Sequence, residues 1–178
     1  MRKRTRATGK VMTLLMVLTI AVVAWSAPIK ETPQRAIPPQ VYSLADLDRI
    51  SVGFALPLPD ELRSAGMTEQ KILAACAKEL SDAGFEIVAD ADAPRLQMIA
   101  ILATDDLSPN QRGYALLATI DQPVRVQRLE QTLVLPTYVD LVVGLNAKVQ
   151  MKRQLKVGFD KLVTNLIKRA RLADSVRK

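Results

Sequence analysis

Residues 68–104 read TEQKILAACAKELSDAGFEIVADADAPRLQMIAILAT, and their periodicity changes twice. Ile72, Leu73, Cys76, Ala77 and Leu80 recur at helical spacing and fall on one face of a helix over residues 68–84. Thr68 is placed to cap its amino end, with Glu69 at the positive end of the helix dipole. Gly84 is placed to end it in a left-handed turn. Phe85–Ala89 is then short enough for a strand, and Asp90–Pro94 is a turn. Arg95–Thr104 is so uniformly apolar that it predicts a strand covered on both faces.

Upstream, Arg49–Leu56 alternates, with Ile50, Val52, Phe54 and Leu56 pointing one way, and Pro57 and Pro59 end it. Two strands flanking a helix predict a parallel pair joined by a right-handed crossover. Downstream, Asp105–Gly113 is a turn-rich connection, and Tyr114–Val126 is a strand in which Pro123 implies a bulge or an edge. Arg128–Leu135 extends that strand or forms a further one, closed by Pro136. From Val139 the pattern predicts a last helix, in two pieces. Its stripe runs Leu145, Val149, Leu155, Phe159, Leu162, Val163, Leu166, Ile167 and Ala170, with a bend at Gly158. The order β-α-β-β-β(-β)-α predicts an α+β two-layer sandwich, a mixed sheet with both helices on one face. The other face, with Ile99, Ile101 and Leu117, is left to carry a groove or to be covered by the tail.

The amino terminus sets the location. Five basic residues (Arg2, Lys3, Arg4, Arg6, Lys10) precede the apolar run Val11–Trp25, and Ala24 and Ser26 offer small residues for cleavage. The run is shorter than the roughly 20 residues of a membrane span. Residues 1–26 therefore read as a signal peptide, with an uncleaved anchor as the alternative. The domain reading continues with a proline-rich extended linker at 27–43, a single domain at 44–173 and a tail at 174–178. The product is expected to be periplasmic or otherwise exported; on the alternative it is anchored in the inner membrane with a periplasmic domain.

Charge and composition narrow the chemistry. The net charge of +7 is misleading, because residues 1–26 supply five of the positive charges. Residues 27–146 carry 10 basic and 16 acidic side chains, and residues 147–178 carry 10 basic and 2 acidic ones. There is no histidine, which removes the commonest general base and metal ligand together. The one cysteine, Cys76, falls on the apolar helix face and reads as core. The Asp90/Asp92 pair lacks the spacing, glycine and distal glutamate of a calcium loop, and Asp105-Asp106 reads as an exposed turn pair. No cofactor, metal or catalytic set is predicted.

The remaining candidate is the basic helix. Lys148, Lys152, Arg153, Lys156, Lys168, Arg169 and Arg171 form a possible contact for anionic lipid, lipopolysaccharide or an acidic partner, the plainer alternative being a solvated face. Nucleic acid is disfavoured by export and by the scarcity of aromatic side chains.

Four segments, RISVGFAL (49–56), LSDAGFEIV (80–88), DAPRLQMIAILAT (92–104) and YALLATIDQPV (114–124), resemble small envelope domains of Gram-negative bacteria. These are the amino-terminal domain of the translocation protein TolB, the lipopolysaccharide-assembly lipoprotein LptE and transport-associated auxiliary lipoproteins. The resemblance spans about residues 48–170 and implies a fold and an envelope setting. No site residue is carried over, and the lipobox cysteine of those lipoproteins is missing here. The expectation is an exported, non-enzymatic accessory protein contacting an envelope protein or anionic lipid, or else an anchored adaptor subunit of an envelope complex.

Overall fold

The computed structural model describes residues 38–104, 108 and 110–177. The signal-like segment, the start of the linker and Asp105-Asp106 lie outside the described residues. The elements are α1 (Pro39–Tyr42), β1 (Arg49–Phe54), α2 (Asp60–Ser64), α3 (Glu69–Asp82), β2 (Glu86–Ile87), β3 (Arg95–Thr104), β4 (Gln111–Val126), β5 (Gln131–Ala147) and α4 (Met151–Arg177). The sheet order is β2-β1-β3-β4-β5. β1 pairs in parallel with both β2 and β3, and β3, β4 and β5 form an antiparallel meander. The fold is the expected α+β sandwich with a mixed sheet. None of the described helices is long and apolar enough to cross a membrane.

Helix α3 is built as its sequence implies. The Thr68 hydroxyl accepts from the Lys71 amide, and Gly84 takes φ +103°, which costs glycine nothing. Ile72, Cys76 and Leu80 are buried.

Both long helices lie on one face of the sheet. Cross-strand register puts Leu96, Ile120 and Tyr138 in one row, Met98, Ala118 and Asp140 in the next, and Ala100, Leu116 and Val142 in a third. The Cys76 Sγ of α3 sits 3.8 Å from Met98 Sδ. On α4, a Cβ at Gly158 would lie 2.5 Å from Leu116 Cδ1. Met98 and Leu116 point to the same side, so α3 and α4 cover the same layer. Leu155, Phe159, Leu162, Val163, Leu166, Ala170 and Ala173 of α4 are buried in the same core.

Three expectations change. First, the last helix starts at Met151, not near Val139. Residues 131–147 form the 17-residue strand β5, and a short turn of 3-10 helix, Lys148–Gln150, separates it from α4. Leu145 and Val149 therefore leave the helical stripe. Second, Pro136 does not close a strand. The pairing shifts from Ile120↔Tyr138 to Asp121↔Pro136, so Thr137 is an extra residue. Such a bulge accommodates proline within a ladder. The Thr137 hydroxyl donates to the Ile120 carbonyl, 3.2 Å away. Pro123 pairs with Val134 beyond the last β3–β4 pair, where one edge of β4 is unpartnered among the described strands. Third, among the described residues β3 is covered on one face only, and Ile101 is 54% exposed.

Smaller differences follow the same packing. The linker does not run extended to residue 43, since Pro39–Tyr42 is helical and Val41 is buried. β1 ends at Phe54, leaving Leu56 exposed. α4 runs past residue 173 and on through Gly158. Its Asp174 accepts from the Asp46 amide at 3.1 Å, tying the helix end to the start of the body.

Gly158 yields a test. Alanine is favoured over glycine within a helix by roughly 1 kcal/mol. Here the added methyl meets Leu116, and overpacking costs about 1–3 kcal/mol. Gly158→Ala is expected to lower the urea midpoint. An unchanged or raised midpoint would contradict this close approach.

Candidate functional site

The basic residues of the carboxyl-terminal region do not form one surface. Lys148 sits in the turn before α4, 3.9 Å from Glu61 Oε1. The same carboxylate accepts from Arg112 Nε at 3.2 Å, so Glu61 fastens α2 to the start of β4. Arg169 turns inward. It stacks 5.4 Å from the Tyr138 ring centroid and lies 4.0 Å from Asp140 Oδ1. Asn165 Nδ2 also donates to Asp140, at 2.9 Å. Lys168 and Arg171 are exposed, and Lys168 is twelve positions from Lys156, or about 18 Å along the helix.

Lys152, Arg153 and Lys156 are gathered at a hollow between the first halves of α3 and α4. Its volume is about 650 Å³. Met67, Ile72, Ala75, Cys76 and Phe159 supply apolar lining, and Lys71 joins the basic rim from α3. Among the described residues, Asp160 is the one acidic residue of the lining. Lys71 was not legible as part of this group, because the corner at Gly66–Thr68 brings it there rather than any spacing in sequence. Gly66 takes φ +77° in that corner, and Lys152 Nζ lies 3.6 Å from where a Cβ would stand.

The walls are held firmly. The Thr164 hydroxyl of α4 donates to Glu79 of α3 at 2.8 Å, beyond the inner end of the hollow. Phe159 meets Phe54 edge-to-face, with centroids 5.9 Å apart and planes at 81°. The Glu69 carboxylate of α3 accepts from the Leu58 amide at 2.9 Å, fixing the preceding loop.

A second surface is the sheet face away from the helices. Its rows pair Ile99 with Leu117 and Leu141, and Ile101 with Ala115 and Val143. Leu141 is 55%, Val143 67% and Leu145 66% exposed. β5 is the last of the described strands in the sheet, and beyond β3 the β4–β5 hairpin also exposes Leu133, Val134 and Leu135. Ile99, Ile101 and Leu117 signalled this face in the sequence, whereas the β5 contribution was hidden by the helical reading.

Neither buried titratable group is suited to nucleophilic work. Burial, with the Glu79 and Asp160 carboxylates nearby, pushes the Cys76 thiol up to about 12. Burial and the adjacent Asp140 push the Tyr138 phenol up to about 12 as well. The Tyr138 hydroxyl is buried without a hydrogen-bond partner among the described residues.

No protein-family model matches the chain, and no curated protein matches it by sequence. Two solved structures are similar in chain course. A minor lipoprotein from Acinetobacter baumannii is 13% identical, with 75% of this chain and 95% of that one covered and a TM-score of 0.39. Rare lipoprotein B from Shewanella oneidensis is 10% identical, with 72% and 97% covered and the same TM-score of 0.39. Likeness at this level transfers no site and no activity.

The thiol gives a signed pH dependence. In the unfolded chain Cys76 ionises near 9.0, and in the fold near 12. Above pH 9.0 the unfolded state therefore holds fewer protons, and stability falls as pH rises toward 12. Cys76→Ala is expected to move the onset of this loss up toward pH 10, where unfolded Tyr138 begins to ionise. Denaturation curves between pH 8 and 11 check it; an unshifted onset would contradict the assignment.

Proposed function

We propose that the chain is an exported, non-enzymatic accessory protein of the bacterial cell envelope, which works by docking a partner protein on the open face of its sheet. The observation that carries this reading is the apolar surface of Ile101, Leu141, Val143 and Leu145. A contiguous apolar face on a soluble body is costly and marks interaction sites. A long edge strand beside it offers backbone groups for pairing as well. The envelope setting rests on the signal-like amino terminus. The absence of catalysis rests on composition, there being no histidine, and on a lone cysteine that is buried with a raised pKa. If the amino-terminal segment is kept, the same face serves a tethered adaptor.

A second reading, contact with an anionic envelope lipid, is favoured by the clustering of Lys71, Lys152, Arg153 and Lys156 around one hollow.

A photo-crosslinking residue at Val143 tests the main reading in cells. It is expected to give a discrete adduct with an envelope protein, and the same residue at the helix-face position Lys161 is expected to give none. Leu141→Asp should abolish the adduct while leaving the melting temperature nearly unchanged, since surface substitutions cost within about 0.5 kcal/mol. No adduct, or one indifferent to Leu141→Asp, would sink the docking face.

A further inference from the structure

We propose that the hollow between α3 and α4 binds a single-chain anionic amphiphile. Its acyl chain lies against Met67, Ile72, Cys76 and Phe159, and its carboxylate or phosphate head lies among Lys71, Lys152, Arg153 and Lys156. This inference rests on the lipid-contact reading for the sign of the ligand's charge, and it adds a defined cavity and a defined stoichiometry.

Four observations converge. The volume of about 650 Å³ lies within the roughly 300–1,000 Å³ of small-molecule sites. It has room for one chain rather than a bilayer patch. The lining is predominantly apolar, with polar groups at its margin, as an amphiphile requires. Val149, at the mouth, is 91% exposed, an apolar side chain in water that a bound chain would cover.

The charge is available. Lys148 and Arg169 are drawn to Glu61 and Asp140, whereas Lys71, Lys152, Arg153 and Lys156 have no carboxylate within 4.0 Å among the described residues. Against them, among the described residues of the lining, stands Asp160, for a net charge of three positives there. The hollow also faces the first turns of both helices, Thr68 and Lys71 on α3 and Lys152 on α4, whose dipoles add positive potential there.

Equilibrium dialysis of the purified full chain against tritiated palmitate, below its micellar concentration and at low salt, tests the site. Saturable one-to-one binding is expected. Ala75→Trp fills the hollow from an exposed position, and Val149→Glu places a negative charge at its mouth. Each is expected to weaken binding about ten-fold or more, as is Lys152→Glu with Lys156→Glu. Hexadecanol should compete about ten-fold less well than palmitate. Displacement by palmitoyl lysophosphatidate at a lower concentration than by palmitate would assign a phosphate head; the reverse order would assign a carboxylate. Absence of saturable binding, or binding unchanged in both Ala75→Trp and Val149→Glu, overturns the proposal. Co-sedimentation with phosphatidylglycerol vesicles separates the two levels. Vesicle binding lost on reversing Lys152 and Lys156, without palmitate binding, removes the cavity site and leaves the surface contact standing. Failure of both removes both.

Discussion

One packing decision governs this molecule: α4 lies across the meander with Gly158 directly over Leu116. The missing side chain lets the helix come close enough for Leu155, Phe159 and Leu162 to share one buried core with Ala118 and Ile120. α3 occupies the rest of the same layer over β1 and Met98. Two helices are thus committed to one side of five strands. The second side receives no helix among the described residues, although β3, β4 and β5 place Ile99, Leu117, Leu141 and Val143 upon it. The proposed docking surface follows from where the helices went.

The same arrangement makes the hollow. The contacts advance together along α3 and α4, with Cys76 near Asp160 and Glu79 bonded to Thr164. Beyond that tie, toward the amino ends, the helices leave a gap bordered by the Gly66–Thr68 corner. Apolar residues from the inner faces form its floor. Basic residues from the outer faces form its rim. The charge asymmetry of the sequence thereby becomes local, because three of the carboxyl-terminal cations lie at one cavity and Arg169 is consumed in packing against Tyr138 and Asp140.

Much of the fold was legible where local signals agreed with tertiary context. Thr68 and Gly84 bracket α3 because capping and left-handed turns are local chemistry. The parallel pairing of β1 and β2 follows from the helix between them. Residues 139–149 failed for a physical reason. Val139, Leu141, Val143 and Leu145 alternate, yet Leu145, Val149 and Leu155 also extend the later helical stripe. Pairing with β4 decides the matter, and no window of sequence contains that partner. Pro136 misled because a bulge absorbs it. Lys152, Arg153 and Lys156 could be marked as basic helix residues, but their separation from Lys168 and Arg169, and their union with Lys71, depend on which face of α4 meets α3.

From Tyr138 to Leu145, adjacent residues of β5 face opposite environments, one side packed and the other open. Single cysteines at Leu141 and Tyr138, in a Cys76→Ala background, test it through the rate of reaction with a charged, membrane-impermeant thiol reagent under native conditions. Leu141 is more than half exposed and Tyr138 fully buried, so labelling is expected to be rapid at 141 and, at 138, only as fast as the protein unfolds. Equal protection at both positions would show that the second face is covered within the chain itself and is not open.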